Sequence, residues 1–171
     1  QVPRVIGTNN PLISNALVEL YSALTTGLVF PVSSIEVAEA SKLIENAQRD
    51  VDIAFVNELS TILPLMGLDV EEVLNAASTK WNFHRHSPGI GVGGHCIPVD
   101  PYYYISLSED LGVKTKLGVA AREINESMPV KSAEQVMKII SKQDIRGKNA
   151  LVLGYSYKPE TGDTRETPVR E

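Results

Sequence analysis

The sequence predicts a mainly α fold: a helical domain built around one long central helix, edged by short strands and followed by the first strand of an incomplete α/β domain. Three observations carry this. Between Ser33 and Pro64 there is neither proline nor glycine, which leaves room for a helix of about 30 residues, or about 45 Å. Before it, Leu12, Ile13, Ala16, Leu17, Leu20, Tyr21 and Leu24 recur at three- and four-residue intervals, the signature of an amphipathic helix. Strand composition returns only at Ala150-Leu151-Val152-Leu153-Gly154. The expected division is a helical domain over 1–147 and the start of a second domain over 148–171.

Val2 to Gly7 reads as a short strand, and Asn10-Pro11 supplies an N-cap with proline in the first turn of the next helix, which Gly27 is placed to end. Val29-Phe30-Pro31-Val32 is extended, and Ser33 with Glu36 forms a capping box for the long helix. The later half of that helix is apolar nearly all round, with Ile53, Ala54, Phe55, Val56, Leu59, Ile62 and Leu63. One small core cannot cover them all, so the helix is expected to be central and to form a homodimer with a second copy. Asp69 and Glu72 cap a short helix through Ser78. Periodicity is then lost from Thr79 to Val99, a long loop of the kind that tends to be functional. Asp100-Pro101 starts a helix, with Asp100 as its cap and Tyr102, Tyr103 and Tyr104 in its first turns. A helical pattern resumes from Val113 to Lys142, with a kink or restart at Pro129 where Ser127 can cap. A polar loop, Tyr157 to Thr167, follows the final strand.

The formal charge of −5 and the lack of any dense Lys/Arg cluster speak against nucleic acid or an anionic membrane as a partner. No apolar run approaches the roughly 20 residues of a membrane helix, so a soluble protein is expected, with protein and small-molecule partners. A lone cysteine cannot form an internal disulfide, and no leader pattern opens the chain, so the cytoplasm is the expected compartment. The chain begins Gln1-Val2-Pro3 rather than with methionine, and a piece of something longer is expected.

All three histidines and the one cysteine fall in a single stretch, as His84, His86, His95 and Cys96. Their spacing does not match the paired ligands of a zinc site, and no metal is expected. A Cys–His nucleophile pair is disfavoured as well, because neighbours in an extended loop point apart. Gly89-Ile90-Gly91-Val92-Gly93-Gly94 spells G-x-G-x-x-G, yet a Ser-Pro loop precedes it and Pro98 follows, where a dinucleotide fingerprint needs a strand and a helix. These glycines are better suited to bring backbone N–H groups close to a ligand, or simply to make a tight turn. Cys96 lies four residues before the expected helix start at Asp100, where the helix field favours a thiolate; a small buried core cysteine is the alternative. On the long helix Lys42, Asn46 and Arg49 are spaced i, i+4 and i+7 and share a stripe, either a solvated face or one wall of a cavity where a lysine can stabilise an oxyanion.

Taken together, Pro3–Gly7, Ser41–Asn46, Asn57-Glu58-Leu59, Gly91–Cys96 with Asp100-Pro101, Arg122–Asn125, and Tyr157-Lys158 with Asp163, Arg165 and Pro168 resemble the nucleotide-sugar 6-dehydrogenases, the UDP-glucose/GDP-mannose dehydrogenase family. His95 before the cysteine and the run Ala121 to Pro129 resemble its N-acetylhexosamine branch. The resemblance implies oxidation of the C6 alcohol of a UDP-N-acetylhexosamine to a carboxylate with NAD, in two hydride steps through a cysteine thiohemiacetal and thioester. It implies that Cys96 is the nucleophile, that Lys42 stabilises an oxyanion or moves protons, and that Asn46 and Asp100 hold the oxyanion or the hydrolytic water. Arg49, Gly93 and the loop residues Lys80, Asn82 and Arg85 would contact the nucleotide sugar, joined by Tyr157 and Lys158, with Arg165 near the cofactor. Lys80 and Asn82 stand where N-acetylmannosamine enzymes carry histidine and arginine, and Arg85 has no counterpart. The family's NAD-binding domain with its glycine fingerprint lies outside these 171 residues, so the isolated chain is expected to be inactive. A non-catalytic helical dimerisation module and a His/Cys metal-binding domain are the alternatives.

Overall fold

The structure, a computed structural model, describes residues 2–142, 149 and 151–171. It is mainly helical, as the sequence predicts. Two compact units, 1–45 and 46–171, are described in turn; the 28-residue helix α2, Ile35–Ile62, contributes residues to both.

In the first unit β1 (Arg4–Gly7) pairs in parallel with β2 (Val29–Val32), Arg4 opposite Val29 and Gly7 opposite Val32. Parallel strands need a crossover, and α1 (Pro11–Leu24) provides it. Asn10 caps α1: its Oδ1 accepts from the Leu12 N–H at 3.0 Å, and Pro11 occupies the first turn, where no N–H is needed. Gly7 packs against the start of α2, where a β-carbon would stand 2.8 Å from Ala38 Cβ and 2.9 Å from Ile35 Cα. The cap of α2 is Ser34, not Ser33: Ser34 Oγ accepts from the Val37 N–H at 3.3 Å, and its hydrogen bond lowers the Glu36 carboxyl pKa. The expected box is therefore not formed, since the third residue after Ser34 is Val37 rather than Glu36. With two serines side by side, only the one whose oxygen reaches the third following N–H can cap.

The second unit holds the rest of α2, a 3₁₀ turn Leu63–Met66, α3 (Val70–Ala77), α4 (Asp100–Asp110) and α5 (Lys116–Ser141). Asp69 caps α3 by accepting from the Glu72 N–H at 2.8 Å. Gly67, at φ 74°, ends the 3₁₀ turn in the left-handed conformation that glycine adopts without strain. Helix α4 begins at Asp100, but Val99 is its N-cap and Asp100 is the first helical residue, which frees the Asp100 carboxylate for another partner. Helix α5 passes through Pro129 without a break, and Ser127 caps nothing; its hydroxyl donates back to the Ile124 carbonyl. Proline removes one N–H, and at this buried position packing carries the helix past the loss. Gly118 lets α5 cross the ring of Tyr104, where a β-carbon would lie 2.5 Å from Cζ.

The apolar core of this unit includes Ala54, Val56, Leu63, Leu74, Ile105, Ala121 and Met128. On α2, Phe55 and Ile62 are exposed, one face left uncovered by the chain itself. The expected strand at the end is not formed among the described residues: Leu151 to Gly154 have no ladder partner, and Ala150 lies outside the described residues. A strand is defined by pairing, and a run of apolar residues without a neighbouring strand remains extended chain. No helix among the described residues is long and apolar enough to cross a membrane.

Candidate active site

Cys96 is half-buried, in the turn that leads into α4. Its carbonyl accepts from the N–H groups of Val99, at 3.0 Å, and Asp100, at 2.7 Å, so the Cys96 backbone is tied to the first residue of the helix. Asp100 Oδ2 accepts from Asn46 Nδ2 at 2.5 Å, which brings two predicted site residues together across 54 positions of sequence.

The glycines before the cysteine lie against residues of the chain's own final segment. A β-carbon on Gly93 would stand 2.7 Å from Tyr157 Cβ and 3.1 Å from the Glu166 carbonyl; one on Gly94 would meet the Tyr157 ring at 3.0 Å. The Gly94 N–H donates to the Arg165 carbonyl at 3.0 Å. Tyr157 and Arg165 to Pro168 thus lie against the bare backbone of the loop. Gly93→Ala is expected to push this segment away, at a cost of about 1–3 kcal/mol. Several-fold faster glutamyl-endopeptidase cleavage after Glu160, with the helices intact by circular dichroism, is the outcome to look for.

Beside the thiol lies a charged cluster. Asp163 accepts from Arg165 Nη2 at 2.6 Å and Nε at 2.9 Å, and these bonds, with that from the Arg165 backbone N–H, hold the Asp163 carboxyl down to about 2. Arg165 Nη2 also approaches His95 Nδ1 at 3.3 Å. The guanidinium is raised above its usual value chiefly by its bonds to Asp163, with smaller contributions from Tyr157 and Cys96, so its charge is within electrostatic reach of the sulfur.

The other predicted residues are more dispersed. Lys42 belongs to the first unit and pairs with Glu45 at 2.7 Å on an exposed face. Arg49, Lys80, Asn82 and Lys158 are exposed, while Arg85 is bound to Glu71 of α3 at 2.5 Å and to Ser87 Oγ at 3.0 Å. Among the described residues no three His, Cys, Asp or Glu side chains converge as metal ligands.

What residue-by-residue reading gave no role is the buried polar set behind the loop: Asp50, Asn57, Arg122 and Asn125, exposed by 1%, 0%, 5% and 1%. Asp50 Oδ1 accepts from Arg122 Nη1 at 2.7 Å and from Asn125 Nδ2 at 2.8 Å. Asn57 Nδ2 donates to Asn125 Oδ1 at 2.9 Å. Burial pushes the Asp50 carboxyl up, against the opposing pull of Arg122 and Asn125. The available signal was periodicity: Asp50 and Asn57 continue the stripe of Asn46 at i+4 and i+11.

The central-domain model of the UDP-glucose/GDP-mannose dehydrogenase family matches residues 36–127. Over 170 residues the chain is 41% identical to the UDP-N-acetyl-D-glucosamine 6-dehydrogenase of Pseudomonas aeruginosa, covering 98% of this chain and 40% of that protein. The UDP-N-acetyl-D-mannosamine dehydrogenase of Pyrococcus horikoshii is 39% identical over 169 residues. The solved structure of that organism's UDP-D-ManNAc dehydrogenase superposes with a TM-score of 0.86 at 38% identity, over 97% of this chain and 39% of the other. The chain thus spans about 40% of the length of the relatives it matches. With the glycine–cysteine loop, the Asn46–Asp100 contact and the family match extending over more than half the sequence, the chain belongs to the UDP-glucose/GDP-mannose dehydrogenase family.

Proposed function

We propose that the protein to which this chain belongs is an NAD-dependent 6-dehydrogenase that converts the C6 alcohol of a UDP-N-acetylhexosamine to the uronic acid. One observation carries the reading: the chain's lone cysteine is half-buried in the turn before α4, two residues beyond the last glycine of a loop bare enough to admit close contacts, with Arg165 in electrostatic reach. A lone cysteine in a core needs none of these surroundings.

Of the groups that could meet NAD, the described residues offer the exposed Arg165 guanidinium, suited to a phosphate. NAD+, when bound, accepts the hydride released from C6 in each oxidation. After the first, the Cys96 thiolate adds to the aldehyde carbon and a proton goes to the resulting oxyanion, giving a thiohemiacetal. After the second, the C6–sulfur bond is that of a thioester; water adds, the bond breaks, and the carboxylate leaves the free thiol. Asn46 and Asp100, bonded to each other, are placed in this reading to orient the oxyanion or the water; Lys42 takes the charge-stabilising role its motif implies. Arg49, Lys80, Asn82, Arg85, Gly93, Tyr157 and Lys158 are assigned to the nucleotide sugar. A second copy is proposed to cover the exposed Phe55–Ile62 face of α2.

The test is stoichiometric. The full-length protein given a UDP-N-acetylhexosamine and excess NAD+ should form two NADH and one carboxylate per sugar. Release of an aldehyde with one NADH, or turnover confined to UDP-glucose, would overturn the proposal.

A further inference from the structure

The loop that carries Cys96 is fastened at both ends to one face of α2. At its start the Gly89 N–H donates to Asn57 Oδ1 at 2.9 Å; at its end Asn46 Nδ2 holds Asp100, whose N–H holds the Cys96 carbonyl. Asn46, Asp50 and Asn57 fall within about 40° of one another around the helix. All three are buried.

The chemistry of the groups behind Asn57 dictates which way its amide faces. Arg122 can only donate, and Asp50 Oδ1 accepts from it. Asn125 therefore turns its NH₂ toward Asp50, where Nδ2 meets both Oδ1 at 2.8 Å and the Asp50 carbonyl at 2.9 Å. That leaves Asn125 Oδ1 as an acceptor, which claims the NH₂ of Asn57 at 2.9 Å. Asn57 Oδ1 is then the atom presented to the loop, and it receives the Gly89 N–H. Reversing either amide would oppose two acceptors or two donors in a site that water does not reach, at about 1–3 kcal/mol for each group left unsatisfied.

We infer that Asn57 and Asn125 are positioning residues: an ordered relay from the buried Asp50–Arg122 pair sets the place of the Gly89–Asp100 loop and so of the Cys96 thiol. The structural claim stands on these bonds alone, and its catalytic consequence rests on the proposed role of Cys96.

In the full-length protein, Asn57→Ala removes the acceptor for Gly89 and leaves Asn125 Oδ1 without its donor. Hydrogen exchange at Gly89 and iodoacetamide alkylation at the Cys96 peptide, read by mass spectrometry, should each accelerate about tenfold or more, the factor that corresponds to one net hydrogen bond. Leu74→Ala in α3 is the control, since it weakens the core without removing any hydrogen bond of the relay. The inference is overturned if Asn57→Ala leaves Gly89 protection unchanged, or if Leu74→Ala accelerates both readouts by the same factor. Should Asn57→Ala fail to fold, Asn46→Ala releases the other end, and unchanged Cys96 alkylation there would equally overturn it. Turnover separates the two claims. A fall in kcat of about tenfold with little change in KM supports both, whereas faster exchange and alkylation at unchanged kcat upholds the positioning and counts against Cys96 as the nucleophile.

Discussion

Arg122→Met is expected to destabilise the protein by about 3–5 kcal/mol, because it leaves the Asp50 carboxylate buried without its counter-charge. Asp50 is 1% exposed, its Oδ2 has no hydrogen-bond partner, and the neutral Asn125 amide cannot replace a guanidinium. The loss should also depend on pH, in a direction that identifies its cause. Burial raises the Asp50 pKa from its ordinary 3.8, and Arg122 works against that rise. A carboxyl raised in the folded state favours folding fully only below its unfolded value, and that contribution is lost as pH climbs through the folded one. Removing Arg122 raises the folded value further. The gap between variant and wild type should therefore open only above the raised Asp50 value of the folded wild type and level off once Asp50 is ionised in both folded proteins. Urea unfolding at pH 4.5 and pH 8 measures it. A loss below about 1 kcal/mol at pH 8, or the same loss at both, would mean that the pair is not what holds α2 to α5. Asp50→Leu combined with Arg122→Met should recover most of the stability, since a buried pair is costly to break and inexpensive to replace as a whole.

Much of the fold was legible because local rules and packing agree. Asn10, Asp69 and Gly67 do what their types predict, and the proline- and glycine-free span became a single helix, α2. Where the reading slipped, several states were locally allowed and tertiary contacts chose between them. Ser33 and Ser34 differ only in which oxygen reaches the Val37 N–H. Pro129 is compatible with a break or with a helix that forgoes one bond, and burial against the rest of the unit selected the second. Leu151–Gly154 has strand composition, but composition supplies no partner strand.

The site divides in the same way. Cys96, Asn46 and Asp100 could be found from a motif and a helix period, and two of them touch. The relay could not, because Asn57 and Asn125 are meaningful only through each other, 68 residues apart, and an asparagine on a helix is most often solvated. The glycines read as backbone that something must approach. What approaches is the chain's own Tyr157 and Arg165 backbone, which no spacing rule connects to Gly93 and Gly94.

Cys96 variants of the full-length protein should show the largest effect on turnover, and the pattern of failure says more than its size. Cys96→Ala should abolish uronate formation while leaving nucleotide-sugar affinity close to wild type, because in the proposed sequence the thiol acts only after the first hydride has left C6. Cys96→Ser separates addition from hydrolysis. A hydroxyl is the poorer nucleophile at neutral pH, and an ester formed with it hydrolyses more slowly than a thioester, so this variant should stall with aldehyde or acyl-enzyme accumulated. Rapid quench with mass spectrometry of the Gly91–Pro101 region would detect the acyl adduct, and hydroxylamine trapping the aldehyde. Near-normal NADH formation and uronate release by Cys96→Ala would exclude the thioester route. The bare loop and its charged cluster would then be a site for holding the nucleotide sugar, and the carboxylate would have to arise by oxidation of the hydrated aldehyde with no covalent step.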